Sequence, residues 1–172
     1  DITITTGADL NISGSSPFVG SGAPSNLNTG TLTGASGLTG GITLVNATAG
    51  SGGAGLITVT DSILWATNFS LELRAGTNIL LNGAVTNNAA NTGALILTAN
   101  TGTVAFNSDV SMTNAGSDLT VNTTGISQTL VDLNRTLQIG GLATLNAGSG
   151  SITLGNANNF GRLHLTGGTV SI

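Results

Sequence analysis

The sequence contains no cysteine, no lysine and no tyrosine, only two prolines and one histidine, and charged residues make up 6% of it. The missing cysteines exclude disulfides and thiolate metal sites, while leaving the compartment open. The cations are Arg74, Arg135 and Arg162 alone, so no basic surface exists to follow a nucleic-acid backbone, and a nucleic-acid partner is excluded. Seven acidic residues set a net charge of -4 and are scattered singly, without an acidic tail. No apolar run approaches the 18 or so residues of a membrane-spanning helix, and no signal-peptide pattern or starting methionine precedes the opening "DITIT". That opening reads as the start of a mature piece or an excerpt of something larger.

Present in quantity are glycine, 27 residues of 172, and threonine, asparagine, serine and alanine, with leucine, isoleucine and valine set among them. Glycine, threonine and asparagine are poor helix formers, whereas branched residues suit strands and glycine and asparagine suit tight turns. In "SLELRAGTNILLNG", residues 70–83, Leu71, Leu73 and Ala75 face one way and Glu72 and Arg74 the other; Ile79 and Leu81 repeat the alternation after a glycine break. A disordered polar tract has no reason to place branched apolar residues at every second position.

The alternation recurs. Strands aligned on their apolar residues read Leu71/Leu73, Leu95/Leu97, Leu119/Val121, Ala143/Leu145 and Leu163/Leu165, spaced by 24, 24, 24 and 20 residues. Two residues on stands a small residue each time (Ala75, Ala99, Thr123, Ala147, Gly167), followed by a corner and a second strand: Ile79/Leu81, Val104/Phe106, Ile126, Ile152/Leu154, Val170/Ile172. A strand-turn-strand unit of this period is the mark of a solenoid, whose turns bury their apolar sides against one another. With polar outward positions and no crossover helices, parallel pairing requires a coil that winds back over itself, its core inside the tube. The expected architecture is all-β, a parallel β-helix of about six to eight coils of roughly 20–30 residues, about 30–40 Å long. An outer-membrane barrel needs strands of about 9–11 residues and aromatic girdles, which this chain lacks.

The whole of 1–172 reads as one β-helix domain, regular over 55–172 and less regular over 1–54. In the first part Ile2/Ile4 with Leu10/Ile12 repeat the double-strand unit, and Ile42/Leu44 with Ile57/Val59 resume it. The stretch 15–26, which holds both prolines, reads as a loop leaving the coil. Nothing in "DITIT" or in the closing "GGTVSI" resembles a cap, so the expectation is that flanking coils are missing or that copies stack end to end. Leu130, Leu133 and Leu137 have helical spacing, so residues 128–139 form either one or two helical turns or an inserted loop before a Leu137/Ile139 strand.

"ISQT…LQIGGLATLNAGSGSITLGNANNFGRLHLTGGTVSI" resembles the repeat region of filamentous-haemagglutinin-like exoproteins of two-partner secretion, and "ILWATNFSLELRAGTNILLNGAVTN" is similar to another of their units. The likeness is good over about 55–172 and loose before that. It implies a right-handed β-helix, secreted by Gram-negative bacteria through an outer-membrane partner and serving as a cell-surface fibre or adhesin. Its partners would then be neighbouring coils, copies of itself end to end, or host and cell-surface glycans. The family's N-terminal secretion motif is absent from this sequence.

Few residues are candidates for chemistry. "GGAGLITVT" (52–60) has the glycines of a calcium-binding solenoid repeat but Ile57 where the ligand aspartate belongs, so it reads as a glycine turn. Asp109 and Asp132 occupy similar offsets in successive coils, near Arg135, and are the nearest approach to the paired carboxylates of a polysaccharide-cleaving site; the competing reading is that both open turns. Trp65 is a candidate sugar-stacking platform or a packing residue. His164, between inward Leu163 and Leu165, should face solvent, and a lone exposed histidine is rarely a metal ligand. Phe18, Phe69, Phe106 and Phe160 read as core fillers. The Thr-x-Thr pairs do not fall in the outward column of the best repeats, which runs Glu72, Ile96, Thr120, Thr144, His164 and so forms no ice-binding array. Asn82, Asn107 and Asn156 are placed to form a side-chain amide ladder. The expectation is a structural or adhesive rod that is not an enzyme and needs no metal or cofactor; the alternative is a glycan-binding or glycan-cleaving module built on Asp109, Asp132, Arg135 and Trp65.

Overall fold

The computed structural model describes residues 1–22, 24–34, 41–47, 54–128 and 135–172. Among them the chain is almost wholly β, with one five-residue helix. It opens with β1 (Ile2–Thr5), β2 (Phe18–Val19), β3 (Asn26–Asn28) and α1 (Thr29–Thr33). Each later winding then contributes three strands in a fixed order. These are β4 (Ile42–Ala47), β5 (Ile57–Val59) and β6 (Ile63–Trp65); β7 (Ser70–Ala75), β8 (Ile79–Leu81) and β9 (Val85–Asn87); β10 (Leu95–Ala99), β11 (Val104–Phe106) and β12 (Val110–Met112). They continue as β13 (Leu119–Asn122), β14 (Ile126–Gln128), β15 (Leu137–Asn146), β16 (Ser151–Thr153), β17 (Asn159–Thr166) and β18 (Thr169–Ser171).

All strand pairs are parallel, and each joins a strand to its equivalent one winding away. The result is a β-solenoid of about six turns, roughly 30 Å long at the usual inter-strand spacing. Leu73, Leu97 and Val121 are direct register neighbours, as the 24-residue period requires. The solenoid has three faces. The first stacks β4, β7, β10, β13 and the ends of β15 and β17; the second stacks β5, β8, β11, β14, β16 and β18; the third stacks β6, β9, β12 and the start of β15. β15 runs unbroken from the third face onto the first, which it can do because Gly140 and Gly141 occupy the corner. A side chain at either would meet the carbonyls of the winding beneath, at Thr113 and Ser117.

The core is one column of apolar side chains up the inside. Leu71, Leu73, Leu95, Leu97, Leu119, Val121, Ala143 and Leu145 are fully buried from the first face, Ile79, Leu81, Val104 and Phe106 from the second, and Ile63, Val85, Val110 and Leu137 from the third. The small-residue column holds the first corner: Ala47, Ala75 and Ala99 are in register and buried, because the chain turns inward there and leaves no room for a larger side chain. Phe18 and Phe106 are fully buried, and Phe69 and Phe160 pack partly buried against the same core.

Three expectations for the first 54 residues change. The expected Ile42/Leu44 frame of β4 does not hold, because Leu44 is not an inward position. The pairing Thr43↔Leu71, Val45↔Leu73 and Ala47↔Ala75 shifts the frame by one residue and places Leu44 in the outward column beside Glu72. The small-residue corner decides this, since Ala47 is the residue that fits beside Ala75. Leu10 and Ile12 are not a second coil strand; they form isolated antiparallel bridges to Asn26 and Gly20. The stretch 15–26 is not wholly outside the coil, because β2 within it pairs with β4.

The first end of the solenoid is closed, contrary to the uncapped opening expected from "DITIT". β1 lies between β5 and β3, and is therefore not an edge strand. β3 covers the second face, β2 the first, and α1 packs against β6 on the third. Bridges from Leu10 and Ile12 then run antiparallel beside β3 and β2, which blunts edges that would otherwise be open to pairing. At the opposite end Leu163, Val170 and Ile172 occupy inward columns yet are 36%, 43% and 71% exposed. Expectations for Leu130 and Leu133 fall outside the described residues, while Leu137 and Ile139 do form a strand.

The register makes a stability prediction. Leu97→Ala removes a fully buried side chain from the middle of the stack and should cost about 2–5 kcal/mol, whereas Thr120→Ala, in the outward column, should cost under about 0.5 kcal/mol. Urea denaturation followed by far-UV circular dichroism measures both.

Candidate functional site

The candidate residues Asp109 and Arg135 meet at the corner between the second and third faces. Asp109 precedes β12 and its Oδ1 accepts the main-chain N–H of Thr136 from the next winding at 2.6 Å. Arg135 Nη1 donates to the buried Ser108 Oγ at 3.3 Å. The Arg135 carbonyl accepts from Gln128 Nε2 at 3.1 Å and from Asn156 Nδ2 at 2.7 Å. Gln128 and Asn158 complete the cluster through two side-chain bonds of 2.9 and 3.0 Å, and Asn158 Oδ1 also accepts the Leu137 N–H at 2.9 Å. Gln128 stands where its neighbours in the column are Phe106 and Leu154, and the amide partners make its burial tolerable. Asp132 lies outside the described residues.

This arrangement is an internal brace. One oxygen of the Asp109 carboxylate is committed to a main-chain N–H, and glycoside hydrolysis needs two carboxyl groups on opposite sides of a substrate. Trp65 cannot be a stacking platform, because it is 2% exposed and its indole Nε1 donates to the Phe69 carbonyl at 3.2 Å. An inward position on β6 gives its ring to the core instead of to a sugar. His164 is exposed in the outward column beside Thr144, as its place between two leucines predicts. Gly55, with φ +80°, makes the turn expected of the 52–60 stretch, and Ile57 beyond it is buried. Asn82 and Asn107 form the expected amide bond at 2.8 Å, and Asn156 Nδ2 donates to the Arg135 carbonyl at 2.7 Å.

A pattern that the sequence reading missed is the use made of the acids. Asp1 accepts the Leu56 N–H at 2.9 Å, Asp9 that of Asn28 at 2.5 Å, Asp61 that of Thr6 at 2.7 Å, and Asp118 that of Leu142 at 2.7 Å, all in the manner of Asp109. Asn68 and Asn78 do the same for Thr92 and Thr103. Most of these donors lie just outside a ladder, whereas Asn28 ends β3 and Leu142 lies within β15 beside its glycine corner. The available signal was position: Asp61, Asp109 and Asp118 each stand one or two residues before a strand. Glu72 differs, its carboxylate pairing with Arg74 on the outer surface.

A second feature missed is Asn87, buried on the third face between Trp65 and Met112. Its Nδ2 donates to the Gly93 carbonyl at 3.1 Å, and its Oδ1 has no partner. A shallow notch of about 150 Å³ beside β15 and β17 is lined by Thr113, Gln138, Ile139, Gly140, Asn159 and Gly161, without a titratable group. Among the described residues no three of His, Cys, Asp and Glu gather where they could hold a metal ion. No family model, curated protein or solved structure matches this chain; the class that its fold defines is the β-solenoid.

The acid braces predict a contrast. Asp118→Ala should lower stability by about 1–2 kcal/mol, as loss of a charge-assisted bond to a main-chain donor. Glu72→Ala, which breaks only a surface pair, should change it by about 0–1 kcal/mol. Equilibrium urea denaturation of the two variants beside the parent chain checks the difference.

Proposed function

We propose that this chain is a stiff structural and adhesive segment of a secreted bacterial surface fibre, a rod rather than an enzyme. The observation that supports this reading is the single uninterrupted core through about six in-register windings, which makes the molecule a spacer whose length is set by its number of turns. The outward columns agree with it. On the second face they run Thr3, Thr58, Leu80, Ala105, Ser127, Thr153 and Ser171, all uncharged, a surface suited to weak, distributed contact. Secretion through an outer-membrane partner and placement at the cell surface rest on the family resemblance alone. Nothing in the geometry favours the glycan-cleaving alternative, since Trp65 is buried and the carboxylate of Asp109 is engaged.

The closed first end bears on assembly. β2, β3 and α1 lie over that end, and on this reading the rod serves within a fibre instead of building one by stacking at this end.

The test is adhesion. Beads coated with the purified chain should be retained on epithelial cell layers above beads coated with an unrelated β-solenoid of equal charge, and an array of neutral and acidic polysaccharides incubated with the chain should show no cleavage. Retention equal to the control would remove the adhesive part of the reading, and turnover of any polysaccharide would replace it with the enzymatic one.

A further inference from the structure

Polar side chains elsewhere on the rod are turned onto the chain's own backbone, as at Asn68, Asn78 and Asp118. The notch beside β15 and β17 is different. Its rim carries Gln138 and Asn159, register partners on adjacent windings, and the exposed Thr113. None of these three side chains is hydrogen-bonded to another of the described residues. The notch lies at the one register shift among the described ladders: Ile139 pairs with Phe160 and Leu142 with Arg162, so Gly140 and Gly141 together face Gly161. A bulge of this kind opens the ladder and takes backbone out of the regular pairing. The space cannot be filled from within. A side chain on Gly161 would strike the Gly140 carbonyl, and one on Gly140 the Thr113 carbonyl. The stacking that forces glycine at this corner therefore also keeps the notch open, with bare backbone in its lining.

We propose that this notch is a binding site for a single neutral sugar residue, an inference that rests for its biological use on the adhesive reading above and gives that reading a ligand. A carboxamide presents a donor and an acceptor side by side, and a hydroxyl is both at once. Two carboxamides on strands about 4.8 Å apart, with one hydroxyl beside them, match a ring edge that carries several neighbouring hydroxyls. The glycine methylenes and Ile139 give the C–H side of such a ring an apolar surface. No titratable group lines the space, so a charged ligand gains no partner there; Arg162, next on β17, stands opposite Leu142 on the first-face side of the corner. A volume of about 150 Å³, on the order of five water volumes, takes one ring and not a chain. Water serves the rim groups when the notch is empty, and a sugar that replaces it with matched hydroxyls keeps those bonds. A site so shallow binds weakly by itself, and display of many copies compensates through avidity.

Saturation-transfer NMR on the purified chain should show contact with at least one of methyl glucoside, methyl galactoside and methyl mannoside, and less with methyl glucuronide. In an isotope-labelled sample the side-chain amide signals of Gln138 and Asn159 should shift during that titration, while those of Asn82 and Asn107, on another face, stay in place. The double variant Gln138→Ala with Asn159→Ala should lose the transfer yet unfold in urea like the parent, since neither side chain is bonded internally. No transfer from any of the three neutral glycosides, a preference for the glucuronide, still amide signals at Gln138 and Asn159, or undiminished transfer in the double variant would each overturn the site. Beads carrying the double variant should also be retained on epithelial layers less than parent beads, and equal retention would take the notch out of adhesion. Parent beads retained no better than the control, with sugar still bound in solution, would remove the adhesive reading and leave the sugar site standing.

Discussion

The structure depends on a single geometric demand: after every winding the chain must return to the same place, one strand spacing further along the axis. Parallel pairing without crossover helices is possible only on that condition. It fixes what each position can be. Inward positions repeat the same few apolar residues because each must fill space between its equivalents above and below. Leu73, Leu97, Val121 and Leu145 therefore form a column, and Ala47, Ala75 and Ala99 form another where the tube narrows. Glycine at positions such as 83, 140 and 141 is the other side of this demand, since there the backbone of one winding lies against that of the next.

Satisfying main-chain donors at the corners is the second demand, and it explains where the polar residues went. Strand ladders account for the N–H groups on the faces but not for those at the corners. Asp109, Asp118, Asn68 and Asn78 each reach across to the following winding for one of them, and Thr101 and Thr124 hydroxyls turn to the carbonyls of Gly76 and Gly102 beneath. Side chains that in another fold would line a binding cleft are here bonded to the chain's own backbone. The same holds for Trp65, whose indole N–H and ring are both taken up internally.

The first face was legible in the sequence because its strands alternate long enough to show a period, as in "LELRA" and "LILTA", and the second because apolar pairs such as Ile79/Leu81 and Val104/Phe106 recur just after each of them. The third face was not. Its strands are three residues long, and one of the two inward positions of β9 is Asn87, so "VTN" and "VSM" look like parts of turns. The frame of β4 was misread for a related reason: Ile42 and Leu44 are the more apolar pair, but hydropathy carries no information about the narrow corner that Ala47 must enter. In the cap, Leu10 and Ile12 alternate like any coil strand, and only tertiary pairing shows that they run antiparallel. Of the singled-out residues, sequence correctly put His164 outside. It had no means to show that the carboxylate of Asp109 is occupied by a backbone donor from the next winding.

The placement of β1 between β3 and β5 has a mechanical consequence. Tension applied along this strand is resisted from both sides, so β1 must shear two ladders together, one to β3 and one to β5, before it moves.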